Sequence, residues 1–438
     1  MLVRDASRVA GRPWLSRVEV AVGDLLDRDS LARALEGMDQ AYYLVHSMLE
    51  AGFEETDRRA ATTFVDAAPA TLRKVIYLGG LLPRGEQRSM HLRSRAEVGA
   101  ILSRSLPVIE LRAGPIIGSG SASFEMVRYL TERLPAMVAP RWIDNQVQPV
   151  GIEDVLRYLV DAASLDATGV LEIGADPLTF RQMMQTYASV RGLRRFIVPV
   201  PVLAPRVAGL WVGLVTPIPN RLAVPLIEGI VEPVLADTTR ARELMPGIEP
   251  ASYRDSVAAA LERAGEAETR WSGALHRAKD VEVTDREGAI REVRTVAVDA
   301  PPHRVFEAFT CLGGSRGWRV WNAAWWLRGL VDRMAGGPGL RRGRRHPQQL
   351  LCGEALDFWR VESIEQDRML RLRAEMRVPG AAWLQWEVEA EGAGSRLVQT
   401  ALFIPKGLWG ALYWYALYPL HARIFSDLAR AIARDAGR

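Results

Sequence analysis

The sequence predicts an α/β protein in two parts: a doubly wound parallel sheet first, then a smaller α+β domain. Two observations predict it. Across the first half, short apolar strands alternate with helical stretches, the pattern of βαβ units that build parallel sheets. Beyond a polar stretch near residue 265 the composition shifts, and nine of the 13 tryptophans fall between Trp318 and Trp414. Strand patterns there follow one another without intervening helices. The length of 438 residues suits two or three domains.

Taken in order, Arg17–Val22 reads as a strand, followed by the turn residues Gly23-Asp24 and an amphipathic helix over Ser30–Leu35. Gln40–Val45 is the next strand, with Tyr42 and Tyr43 expected in the core, and a helix follows over Glu54–Ala68. Lys74–Leu78 is a strand ended by Gly79-Gly80; a helix over Arg93–Leu102 leads to the strand Val108–Arg112. From Phe124 to about Leu261 the pattern is more helical and punctuated by prolines. Pro199, Pro201, Pro205, Pro217 and Pro219 flank an apolar stretch around Trp211, a packed lid or core helix, with a membrane-surface helix as the alternative.

The first domain is expected over residues 1–264, its substrate-side part over 151–264, and a polar linker over 265–288. The second domain, 289–438, opens with a strand at Glu292–Val298, Pro301-Pro302 and a helix near Val305–Phe309. Alternating strands follow at Ala355–Val361, Leu370–Val378, Ala382–Val388 and Arg396–Phe403, and a long helix at Tyr413–Ala433 closes the chain. This order predicts an antiparallel sheet wrapped around the terminal helix.

Composition excludes several classes. Two cysteines, Cys311 and Cys352, make neither a disulfide framework nor a zinc knuckle, which suggests a reducing compartment. A net charge of +4, from 56 basic and 52 acidic residues, is too balanced for a nucleic-acid footprint. The six histidines show no metal-binding spacing, so no metal is expected. There is no P-loop and no nucleophile elbow. The N-terminus has no signal-peptide core, and the longest apolar run, Gly407–Leu420, is short of a membrane span, so a cytoplasmic protein is expected, with peripheral membrane contact open. The run Arg341-Arg342-Gly343-Arg344-Arg345-His346 reads as a solvated loop or as a contact for phosphate or anionic lipid. Lys74, Lys279 and Lys406 are the only lysines, which leaves few places for lysine chemistry.

Several local signatures carry a family resemblance over roughly Met1–Leu261. They are Val22-Gly23-Asp24-Leu25, then Leu111-Arg112-Ala113-Gly114-Pro115-Ile116-Ile117-Gly118, then Gln148-Pro149-Val150-Gly151-Ile152-Glu153-Asp154-Val155, and last Leu171-Glu172-Ile173-Gly174 with Leu178-Thr179-Phe180. In this order they resemble the atypical or extended short-chain dehydrogenase/reductase superfamily, whose Rossmann-type sheet binds NAD(P). The resemblance implies that Asp24 and Leu25 lie at the adenine, that Arg4 faces a 2′-phosphate and so favours NADP, and that Leu44, His46, Gly79, Gly80, Pro115 and Ile117 line the rest of the cofactor crevice. It implies an oxidoreductase-like protein acting on or binding a small apolar substrate, of a quinone- or lipid-like kind. The alternatives are a nucleotide and hydrophobic-ligand binding protein without turnover, or an assembly protein.

Two departures stand out. No GxGxxG or GxxGxxG occurs, so the glycine turn that would approach the pyrophosphate is absent, and Met1–Asp5 looks like the family's second strand. The expectation is a chain that starts late, by a misplaced start or a genuine truncation. No Tyr is followed four residues on by a Lys; at the matching place stand His91 and Arg95, and Gly79 or Gly80 takes the serine position. His91 is the candidate proton donor and Arg95 its neighbouring cation, against the alternative of two surface residues in a degenerate site. The second domain resembles the START-like helix-grip superfamily through Val298-Asp299-Ala300-Pro301-Pro302-His303-Arg304-Val305-Phe306 and its element order. That resemblance implies an apolar cavity, here lined by Phe358, Trp359, Trp383, Trp386 and Trp414; the alternative is a solid core.

Overall fold

Strands β4 (Lys74–Gly80) and β5 (Val108–Ala113) are short apolar runs, entered through Arg73 and Pro107. Such runs need cover on both faces, which fixes where helices must go. The computed structural model describes residues 1–438 except 7–8, 10–13, 49, 51, 86–88, 201–204, 271–280, 314–316, 335–336, 338, 340–349 and 438. It divides into two units, Met1–Leu275 and His276–Arg438.

The first unit begins with β1 (Leu2–Val3), β2 (Ala21–Val22), α1 (Arg28–Leu35), β3 (Gln40–Tyr43) and α2 (Phe53–Ala67). After β4 come α3 (Met90–Ser105), β5, β6 (Ile116–Ile117), α4 (Ala122–Arg133), β7 (Ala136–Pro140), β8 (Gln146–Val147) and β9 (Val150–Gly151). Then α5 (Ile152–Ser164), β10 (Gly169–Ile173), β11 (Leu178–Thr179), α6 (Phe180–Arg191) and β12 (Phe196–Val200) follow. Four helices complete it: α7 (Pro205–Val215), α8 (Asn220–Glu228), α9 (Thr239–Leu244) and α10 (Tyr253–Arg270).

The central sheet is parallel in the order β10-β5-β4-β3, with Ile76 opposite Ile109 and Leu111 opposite Leu171. One face is covered by α1, α2 and α3, where Leu31, Phe64, Val98 and Leu102 pack on Tyr43, Val75 and Tyr77. The other face is covered by α5 and α9, where Val155, Tyr158, Ala241 and Met245 pack on Ile76, Ile109 and Leu111. This is the doubly wound α/β class the alternation predicts. β1 and β2 form a separate parallel pair, and among the described residues the outer edge of β3 has no strand partner. The expected strand Arg17–Val22 shrinks to β2, because Leu15–Arg17 turns as a single 3₁₀ turn. Tyr43 is buried as expected, but Tyr42 is half-exposed, since β3 is an edge; its hydroxyl donates to the Leu159 carbonyl at 3.1 Å. α7 buries Ala208 and Val212 and leaves Leu210 and Trp211 outward.

The second unit holds β13 (Val281–Arg286), β14 (Ala289–Val298), α11 (Pro302–Thr310), α12 (Asn322–Met334), β15 (Ala355–Leu356) and β16 (Trp359–Glu365). It ends with β17 (Met369–Ala374), β18 (Gly380–Glu391), β19 (Gly394–Pro405) and α13 (Gly407–Ala436). Its seven strands form one antiparallel sheet, β13-β14-β19-β18-β17-β16-β15. Side chains alternate across each strand, and the inward set (Ile290, Leu384, Trp386, Leu397) packs with Val305 and Phe309 of α11 and Leu428 of α13. The stretch expected as linker is ordered at both ends: α10 runs to Arg270, and β13 starts at Val281.

Candidate functional site

In a parallel sheet the carboxyl ends of the strands open onto one crevice, where ligands are held. The ends of β3, β4 and β5, three neighbours, bring His46, Gly79, Gly80 and Pro115 to that rim. Asp24 follows β2 and Arg4 follows β1, in the separate pair; Arg4 lies 4.0 Å from Glu50 of the loop after β3, an exposed contact of little energetic weight. Asp24 shapes its own turn. Its Oδ1 accepts from the Leu26 amide at 2.9 Å, and its amide donates to Ser30 Oγ at 3.1 Å.

The polar groups gather around α3. Asp57, on the buried side of α2, accepts from the Ser47 amide at 2.8 Å and from Ser94 Oγ at 3.1 Å. That one carboxylate ties the His46–Ser47 loop to the helix that carries His91 and Arg95. Arg95 donates from a guanidinium nitrogen to the Leu78 carbonyl at 3.1 Å, and its own carbonyl accepts from the Tyr77 hydroxyl at 2.9 Å. Burial pushes the Tyr77 phenol up to about 12. Burial, then Arg95, then His46 push the His91 imidazole down to about 3. His46, open to solvent on one side, is also held below the ordinary range by desolvation and Arg95, with Asp57 pulling the other way. Both imidazoles are thereby biased towards the neutral form beside one guanidinium. Desolvation and a neighbouring cation both oppose charging His91, which its place in the sequence makes the candidate proton donor.

The glycines at the β4 end serve packing as well. A Cβ on Gly79 would stand 2.8 Å from Glu110 Oε1, and one on Gly99 would stand 2.6 Å from Oε2. Glu110 is buried and takes a bidentate contact from Arg112, at 2.8 and 3.2 Å. Ile117, expected at the cofactor, is buried in the core with Phe124 and Val127, and Leu25 packs against the α1–α2 core. Leu44 is half-exposed just past β3.

Sequence reading missed Asp57, Ser94, Glu110 and Arg112 as site residues. A signal existed for three of them. Asp57 shares a helical face with the buried Ala61 and Phe64, four and seven residues on. Glu110 and Arg112 are two opposite charges on one face of an otherwise apolar strand. In the second unit Phe358, Trp359, Trp386 and Trp414 belong to the packed core, with ring centroids 5.6 Å apart for Phe358–Trp359. Trp383 does not join them: it packs over Arg371 on the other face of the sheet. The run Arg341–His346 lies outside the described residues. No helix among the described residues is long and apolar enough to cross a membrane.

Fold and rim together define the first unit as a doubly wound α/β domain with polar side chains gathered at the carboxyl ends of its parallel strands. Comparison with known proteins adds the following. Residues 287–428 match the model of a family described as a protein of unknown function, DUF2867. No curated protein matches the chain. Among solved structures, an NADPH-dependent quinone oxidoreductase from Escherichia coli is 17% identical, over 59% of this chain and 89% of its own, with a TM-score of 0.47. A triphenylmethane reductase from Citrobacter sp., complexed with NADP(H), is 15% identical over 59% and 89%, at 0.47. A nucleoside-diphosphate-sugar epimerase from Staphylococcus aureus is 14% identical over 58% and 88%, at 0.48.

Proposed function

We propose that the first unit is a nucleotide-binding domain of the oxidoreductase type, taking the nicotinamide half of NAD(P) at His46, His91 and Arg95. The observation that carries this reading is the junction at Asp57, which fixes the loop after β3 onto α3 at the carboxyl ends of β3 and β4. Asp24 and Arg4 would serve the adenosine half, with Arg4 suited to a 2′-phosphate. The fit is partial. The pyrophosphate normally rests on amides of a glycine-rich turn at a helix N-terminus, and this sequence has no such turn. Binding is therefore expected to be weak and salt-sensitive, resting on side-chain charge. The substrate class carried forward is a small apolar molecule, quinone- or lipid-like.

A second reading, binding without turnover, is favoured by one observation: His91 is neutral near pH 7, and no Tyr–Lys pair replaces it. Titration with NADPH, read by nucleotide fluorescence, tests the main reading. Saturable binding is expected, weakened on the order of tenfold by Arg95→Gln, the loss of one charge-assisted hydrogen bond. Absence of saturable binding would sink it. A reductase assay across quinones, ketones and enones then separates the two readings. Turnover lost in His91→Ala supports catalysis, and binding with no turnover supports the second reading.

A further inference from the structure

Helix α12 is amphipathic in the wrong sense for a helix in water. Its inward side buries Trp325, Gly329 and Asp332. Its outward side shows Trp326, Leu327, Leu330, Val331 and Met334, at i, i+1, i+4, i+5 and i+8, which form one continuous stripe. Met334 is 81% exposed. The first half of α13 repeats the pattern with Trp409, Leu412 and Tyr415 outward, Trp409 at 75%. The two helices meet where the Arg328 guanidinium of α12 sits 6.0 Å over the Tyr413 ring of α13. Outward apolar stripes of this kind mark an interaction surface.

The charges bordering the face identify what meets it. Arg328 and Arg333 are on α12, Lys406 caps α13, and Arg377 lies beside α12, its carbonyl accepting from Arg328 and its amide donating to Asp332. None of these four cations pairs with a carboxylate among the described residues. Asp332 is buried and spent on backbone amides, those of Gly339 at 2.9 Å and Arg377 at 2.6 Å. Apolar stripes bordered by these cations and carrying outward Trp match the interface of an anionic bilayer, where indole rings sit at headgroup level; the Asp285 carboxylate, which accepts from the Tyr415 hydroxyl at 3.1 Å, lies at the end of the α13 stripe. No described helix is suited to span the membrane, so the contact is peripheral. We infer that α12 and the first half of α13 form a docking face for anionic lipid membranes.

Sedimentation of the full chain with lipid vesicles tests this. Substantial binding is expected to equimolar phosphatidylcholine–phosphatidylglycerol vesicles, with little to phosphatidylcholine alone. Met334→Glu and Trp409→Glu, both exposed and so without cost to the fold, should each lower the bound fraction on the order of tenfold. Lys406→Gln should weaken binding to the anionic vesicles and reduce its salt dependence. Tryptophan emission should shift to the blue on binding, and by less in Trp409→Glu, which keeps only Trp326 of the two outward indoles. Failure to bind either vesicle, or a Met334→Glu variant that binds like the parent while melting at the same temperature, overturns the inference. So does a dimer in light scattering that Met334→Glu dissociates, with no vesicle binding, since a second copy would then own the face.

Discussion

Asp57 is 5% exposed and accepts two hydrogen bonds, so removing its carboxylate leaves the Ser47 amide and the Ser94 hydroxyl without that acceptor. Asp57→Ala should cost about 1–3 kcal/mol in chemical denaturation. Because Asp57 raises the His46 pKa, the same change should lower it further, an effect visible in the NMR titration of that imidazole. His91 gives a pH dependence of definite sign. Its imidazole takes a proton near 6.5 when unfolded but only at about 3 when folded. Between those values the unfolded chain binds more protons, so this contribution is whole above 6.5 and is lost as pH falls towards 3. His421, pushed down to about 4 by burial and by Arg328, adds to the same window. Urea midpoints should fall on acidification through it, and fall less in His91→Leu. His46, His91 and Arg95 were expected from motif position, which does not depend on burial. Asp57 was not, since an acid in a helix is ordinarily on its wet side.

At the scale of elements, α3 sits close on β5 because Gly99 has no side chain to hold the two apart. Gly99→Ala would drive a methyl group to within 2.6–3.0 Å of three atoms of the Glu110 carboxyl group, which Arg112 holds in place. A loss of about 1–3 kcal/mol is expected, as for an overpacked core, together with a changed near-UV signal from Tyr77. The central strands and helices of the first unit were readable because burial on both faces imposes long apolar runs. Elements at edges were not. β13 reads as a charged linker, yet Val281 and Val283 alternate with Glu282 and Thr284, which is sufficient for a strand with one neighbour. α12 escaped for the opposite reason: its apolar residues point outward, and a periodicity argument cannot separate an inward stripe from an outward one.

At the scale of the whole molecule, the second unit is built to stand alone. Its core runs from Ile290 to Ala436, and its seven-stranded sheet is complete within residues 281–405. The tryptophan-rich half of that core, Trp318, Trp325, Phe358 and Trp359, interlocks with centroids 5.4–6.3 Å apart, and Trp318 Nε1 donates to the buried Asp357 at 2.8 Å. A unit of about 160 residues with its own core has enough buried surface to fold independently. A fragment spanning residues 276–438 should therefore melt cooperatively and keep the near-UV tryptophan spectrum that the full chain owes to this cluster. The full chain should unfold in two calorimetric transitions, one of them at the fragment's own temperature. Trp318→Leu should lower that transition alone, because it removes a buried ring and leaves Asp357 without its indole donor. A single transition for the full chain, with a fragment that binds hydrophobic dyes and lacks the near-UV signal, would mean that the second unit folds only with the first, and the two would have to be treated as one cooperative body.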